Sequence, residues 1–179
     1  MVGVTAAQPV LASTANGDVR GHEVADGVWC FRGIPYAAAP VGDRRFRAPQ
    51  PVEPWAGIRD ATEFASDAIQ PVRGRTSRAP GMSEDCLYLN VWTPAQSRTG
   101  GWPVVVWSGG GGFVTGGGSF VEEDPARLAA RGLVVVTFNY RLGVFGFLAH
   151  AALSADSPDG TSGNYGLADH VAALRWVRT

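Results

Sequence analysis

Val104-Val105-Val106-Trp107-Ser108-Gly109-Gly110-Gly111-Gly112-Phe113 is an apolar, β-branched run that passes directly into four consecutive glycines. Its first part, Val104 to Trp107, shows no alternation of apolar and polar residues, which predicts a parallel strand covered on both faces. Leu133 to Phe138 is a second run of the same kind. Between the two, Asp124 can cap orphan helix amides, Pro125 suits a first helical position, Ala126 to Arg131 can form a helix and Gly132 suits its exit. Strand, helix and strand in that order predict a right-handed crossover unit, and with it an α/β fold on a mostly parallel central sheet with crossover helices.

Upstream, Leu87 to Trp92 sets Leu87, Leu89 and Val91 against Tyr88, Asn90 and Trp92, the period of a strand with two different faces. Val19 to Val24 and Val28 to Phe31 are short β-like pieces around Asp26-Gly27, a dipeptide suited to a hairpin turn, so small antiparallel strands open the fold. Pro35 to Pro54 is broken repeatedly by proline and glycine and predicts an irregular surface segment. Pro71 to Gly81, with Arg73, Arg75 and Arg78, predicts a mobile loop. Downstream, Tyr165 to Arg178 places Leu167, Val171 and Leu174 at i, i+4 and i+7, with Ala168, Ala172 and Ala173 widening the stripe; this predicts an amphipathic helix with Arg175 and Arg178 near its C-terminal end. Residues 1–17 read as a tail and 18–179 as one domain.

Hydrophobic residues make up 45% of the 179 and charged ones 17%, which places the chain among proteins with a real core and not among disordered ones. Fifteen basic against 16 acidic residues leave a net charge of -1, no basis for binding nucleic acid or an anionic membrane surface. A small neutral molecule is the expected partner; oligomeric state is left open. Two cysteines, Cys30 and Cys86, match no metal-ligand spacing, and no cofactor is expected. Met1 to Ala15 lacks a charged leader followed by an apolar stretch, and no run could span a bilayer, which predicts a cytoplasmic protein.

The glycine cluster invites comparison with a phosphate cradle, but no Lys-Ser or Lys-Thr closes it and no frame satisfies G-x-G-x-x-G. Acyl chemistry is the other use of such a loop: a tetrahedral intermediate puts negative charge on a former carbonyl oxygen, and glycines can turn preorganised N–H donors toward it. A flexible glycine loop with no chemistry is the bland alternative.

Four blocks then carry a family likeness. Ser83-Glu84-Asp85-Cys86-Leu87-Tyr88-Leu89-Asn90-Val91-Trp92-Thr93-Pro94 is the longest. The others are Phe31-Arg32-Gly33-Ile34-Pro35-Tyr36-Ala37 with Arg45-Phe46, Asn139-Tyr140-Arg141-Leu142-Gly143-Val144-Phe145-Gly146-Phe147, and Gly163-Asn164-Tyr165-Gly166-Leu167-Ala168-Asp169-His170. From about Val19 to Thr179 the chain resembles the first third or so of type-B carboxylesterases, the group that includes bacterial para-nitrobenzyl esterases and cholinesterases.

The resemblance implies the N-terminal part of an α/β-hydrolase and, for the full-length protein, a carboxylic ester hydrolase working through a serine acyl-enzyme on a small-molecule ester. It implies that Gly111 and Gly112 supply two oxyanion-hole amides, and that Arg45 pairs with Glu84 and Arg141 with Asp169 as structural ties. Two departures stand out. Gly109 occupies the position where many relatives have histidine before three glycines, and Ala68 occupies the position of the cysteine that often pairs with Cys86, so Cys86 is expected reduced. No serine satisfies G-x-S-x-G; Gly160-Thr161-Ser162-Gly163-Asn164 ends in asparagine. His22, His150 and His170 precede any such elbow and are read as surface or helix-packing residues. The chain is therefore expected to stop before the nucleophile elbow and to be inactive alone and sticky. A non-catalytic binding or adhesion module on the same fold is the alternative, and a dinucleotide-binding domain a third reading.

Overall fold

Backbone pairing in the computed structural model, which describes residues 9–179 except 26, 73, 75 and 122–124, organises the chain around one large sheet. Its strands are β1 (Pro9–Thr14), β2 (Gly17–Ala25), β3 (Val28–Pro35), β4 (Ile58–Asp60), β7 (Tyr88–Pro94), β8 (Val104–Ser108) and β9 (Val134–Phe138). They lie in the order β1-β2-β3-β7-β9-β8, with β4 beside β2. β5 (Asp67–Ala68) and β6 (Met82–Ser83) form a separate short parallel pair.

Pairing is antiparallel from β1 through β2, β3 and β7 to β9, and parallel only for β8 with β9 and for β4 with β2. The sheet is thus mostly antiparallel, a correction to the mostly parallel one predicted. Hairpins and returning loops need few residues, whereas each parallel neighbour needs a crossover, and the described residues hold a helical crossover only between β8 and β9. β1 pairs with β2 from Pro9↔His22 to Thr14↔Gly17, so the sheet begins inside the stretch read as a tail. β2 and β3 meet at Ala25↔Val28, consistent with the predicted hairpin; Asp26 lies outside the described residues.

The helices are α1 (Ala126–Ala129), α2 (Gly143–Phe147), α3 (Ala151–Ala155) and α4 (Tyr165–Arg178). α1 is shorter than predicted and leaves at Gly132; Asp124 and its capping role lie outside the described residues. Pro35 to Pro54 holds one 3₁₀ turn, Gly42–Arg44. In the second loop Arg78 N donates to Ser119 O and Val121 N to Thr76 O, both at 3.0 Å, so its described part is tied to the chain near Phe120; Arg73 and Arg75 lie outside the described residues.

β8, read as a strand of the kind covered on both faces and expected to lack that cover in this chain, is the sheet's outer strand, with Val104, Val105 and Trp107 exposed, while β9 beside it buries Val135, Val136 and Phe138. On α4 the predicted face is reversed: the Leu167, Val171 and Leu174 stripe is exposed by 46 to 52%, and the buried residues are Tyr165, Gly166, Asp169 and Ala173. Asp169 decides the rotation, because its buried partner Arg141 lies on the core side and an unpaired buried charge would cost more than three half-exposed aliphatic side chains.

Cys30 and Cys86 are free thiols packed in the core. Burial pushes Cys30 up from 9.0 to about 11 and Cys86 higher still. The folded state therefore holds these protons more tightly than the unfolded chain, so the contribution is complete below the ordinary thiol value and is lost as pH rises through the folded one. The urea midpoint of the protein is expected to be level through neutral pH and to fall between pH 9 and about 11, with less of that fall in Cys30→Ala. A midpoint independent of pH over that window would contradict the burial.

Candidate functional site

At the end of β8 the chain leaves the sheet through Ser108 and enters the loop from Gly109 to Gly118. Within it Gly111 O accepts from both Val114 N and Thr115 N at 3.2 Å, closing a tight turn around Gly112 and Phe113. A Cβ on Gly111 would stand 2.0 Å from Thr115 O, so no side chain can occupy that position. Gly112 and Phe113 follow in the left-handed region, at φ +61 and +63. Phe113 is the costly one, of order 1–3 kcal/mol for a non-glycine residue held there. It is held from α2: Gly143 N donates to Phe113 O at 2.8 Å, and the Phe113 ring packs on Phe147 with centroids 4.8 Å apart.

The consequence is a pair of exposed donors. Among the described residues neither Gly111 N nor Gly112 N has a hydrogen-bond acceptor, and both glycines face solvent. They are spent on neither strand pairing nor the turn's own closure.

The rest of the loop is braced by side chains from distant segments. Gln70 forms a two-way clamp on Gly116, its Oε1 accepting from Gly116 N and its Nε2 donating to Gly116 O, both at 2.8 Å. Asn139 Oδ1 accepts from Gly118 N at 2.8 Å while its Nδ2 donates to Ser66 O at 3.1 Å. Asn90 donates to Gly118 O and Thr137 Oγ1 and accepts from Gly33 N, which joins the loop to β3, β7 and β9. Asp67 accepts from Ser119 at 2.6 Å and from Ser77 at 2.5 Å. Ordered donors at a strand end, braced so that they need not reorganise, suit stabilisation of a developing oxyanion.

A family profile described as the carboxylesterase family matches residues 8–179. The chain belongs to the carboxylesterase family. It is 54% identical over 170 residues to the fumonisin B1 esterase of Sphingopyxis macrogoltabida, covering 94% of this chain and 31% of that protein. It is 44% identical over 172 residues to the para-nitrobenzyl esterase of Bacillus subtilis (strain 168), covering 94% of this chain and 34% of that one. A solved PNB esterase structure superposes with a TM-score of 0.83 at 42% identity, covering 94% of this chain and 34% of the other. The chain spans about a third of the length of the curated relatives it matches.

As a carboxylesterase-family chain it forms both charge pairs that the resemblance implies, in very different surroundings. Arg141 and Asp169 are 4% and 0% exposed and joined at 2.7 Å, with further bonds to Asp169 from Arg141 N and Nε. Arg141 Nη1 also donates to Arg47 O at 2.8 Å, which fixes the irregular segment before β4. Arg45 and Glu84 form a two-point pair that is 45% and 20% exposed.

The three histidines divide. His22 sits on β2 opposite Cys30, and burial lowers its pKa. His150 caps α3, accepting from Ala152 N at 3.2 Å. His170 packs against Phe138 and Tyr140 on α4 and is joined to Ser108. Ser162, the false elbow serine, bonds to Ser154 and the His150 backbone. Gln70, Asn90 and Asn139 were missed as loop supports. For the last two a signal existed, since asparagine is disfavoured in and beside buried strands unless its amide is used. For Gln70 there was none. Among the described residues no helix is long and apolar enough to cross a membrane.

Proposed function

We propose that the full-length protein carrying this chain is a serine carboxylesterase of small-molecule esters, in which Gly111 and Gly112 donate two of the oxyanion-hole hydrogen bonds. The single observation that carries this reading is the pair of acceptor-free amides on a braced turn at the end of β8. A serine supplied by the rest of the protein attacks the ester carbonyl, and negative charge moves onto the carbonyl oxygen. The two amides take that charge, the alcohol leaves, and water returns the acyl-enzyme to free acid and serine. Relatives named fumonisin B1 esterase and para-nitrobenzyl esterase support the reaction class. Two unpaired, buried cysteines favour action in a reducing compartment, the cytoplasm.

The full-length protein is expected to hydrolyse para-nitrophenyl acetate and butyrate and to be labelled stoichiometrically by a serine-directed fluorophosphonate, with activity lost in step. The 179-residue chain alone is expected to do neither above background. Full-length protein that neither turns over esters nor takes the label would end the esterase reading and leave a binding module.

A further inference from the structure

Gly109 carries no side chain to anchor the loop, and the structure leaves no room for one. A Cβ there would stand 2.8 Å from both N and O of Gly117, because the two ends of the loop touch backbone to backbone. The residue before it does carry an anchor. Ser108 Oγ lies 2.8 Å from His170 Nε2, across the gap between the end of β8 and helix α4. The other ring nitrogen, Nδ1, lies 2.8 Å from Gly166 O, one turn earlier on the same helix. A carbonyl can only accept, so Nδ1 carries a proton and, in the neutral ring, Nε2 is the acceptor for the Ser108 hydroxyl. Two aromatic rings flank the half-buried imidazole: it stands edge-on to Phe138, centroids 5.1 Å apart, and its centroid lies 4.2 Å from that of Tyr140, whose hydroxyl donates to Gly109 O at 3.4 Å.

We propose that His170, acting through Ser108, is a positioning residue that sets the angle at which the glycine loop leaves β8. The side chain that ties down the start of the loop is that of Ser108, one residue upstream of Gly109. The inference rests on the oxyanion-hole reading, because a loop's entry angle matters to the reaction only if its amides do. The chemistry asks for little else. Gly111 and Gly112 must meet an oxygen at about 2.7–3.1 Å, and a displacement of about 1 Å at such a site costs up to about 100-fold in rate. Ser108 is three residues from Gly111, so a swing at the strand end is carried into the turn with little chain between to absorb it.

The test uses the full-length protein with Ser108→Ala, His170→Ala, the double variant and His170→Gln. Two readouts are taken: steady-state kinetics on para-nitrophenyl butyrate, and hydrogen exchange of the Val114 and Thr115 amides, bonded to Gly111 O, and of the Gly116 amide, bonded to Gln70 Oε1. Each alanine variant is expected to lower kcat by about 10- to 100-fold with KM within about twofold, and to speed exchange at those amides. Affinity for a trifluoromethyl ketone should fall by the same factor as kcat/KM. The double variant should be no worse than either single one, as for two residues acting as a unit. His170→Gln, whose amide can still accept from Ser108, should recover most of the loss, while the urea midpoint of Ser108→Ala stays level; His170→Ala also gives up ring packing on Phe138 and Tyr140 and is expected to unfold at lower urea.

Unchanged exchange in Ser108→Ala overturns the proposal whether or not the protein is an esterase. So does a double variant whose losses multiply, or a fall in kcat of Ser108→Ala matched by a fall in its urea midpoint. Wild-type protein with no esterase activity but faster exchange in Ser108→Ala would sink the function and keep the loop anchor.

Discussion

Asp169→Ala in the full-length protein is expected to remove about 3 to 5 kcal/mol of folding stability, read as a shift in the urea unfolding midpoint at constant slope. The loss comes from what stays behind. Arg141 is buried with three of its bonds directed at Asp169, and no water reaches it to replace them. It would be left as an uncompensated charge in the core, holding α4, β9's exit and the segment at Arg47 in a geometry that no longer suits it. The pair itself adds less than this figure suggests, because desolvation of both ions offsets most of their attraction. Arg141→Met with Asp169→Leu is therefore expected to be less destabilising than Asp169→Ala alone. Glu84→Ala, which breaks the half-exposed pair with Arg45, should cost far less, because water screens the pair and takes over the bonds it loses. If Asp169→Ala and Glu84→Ala cost the same, burial is not what distinguishes the two pairs.

The contrast between these pairs explains what could be read from the sequence and what could not. The positions of β2, β3, β7, β8 and β9 and the limits of α4 were legible because they follow from runs of apolar and β-branched residues, glycines and caps, all local signals, whereas the two- and three-residue strands β4, β5 and β6 carry no such run and were not read. Partnership was legible where long motifs repeat a family pattern, as for Arg141 with Asp169. Direction was not. Leu167, Val171 and Leu174 form the stronger apolar stripe on α4, yet Asp169 turns the helix the other way, since one buried charge outweighs several half-exposed aliphatic groups. The place of β8 at the edge was hidden for a related reason: sheet order is set by which strands find long-range neighbours, and the sequence of one strand does not reveal which partners lie beside it. The glycine cluster was read as an oxyanion loop from location and residue type, and Gly111 and Gly112 were singled out within it by the family resemblance. Their support was not read: Asn90 and Asn139 stood out as amides in and beside buried strands, but that they meet Gln70 and Ser108 with His170 at one loop is a matter of segments far apart in the chain.

The glycine loop offers a sharper test than its composition suggests, since four glycines in a row look interchangeable and the structure says they are not. If the full-length protein works as proposed, Gly111→Ala is expected to lower its kcat by about 10² to 10³, the range for losing one oxyanion donor, with a much smaller change in KM. Its added methyl cannot fit 2.0 Å from Thr115 O, so the turn must open, and opening it moves both donors at once. Gly112→Ala keeps its N–H and meets no atom within 4 Å, but it must hold an alanine at φ +61. That conformation costs about 1–2 kcal/mol, so a loss nearer 10-fold is expected as the turn spends time in other shapes. Gly110→Ala meets nothing within 4 Å and is not among the glycines with positive φ, so it should stay within about twofold of wild type. The order Gly110, Gly112, Gly111 in rising severity is what the backbone demands of each residue. A series in which all three alanines were equally harmful would mean that the loop works by flexibility, and one in which all were harmless would take the oxyanion away from these amides altogether.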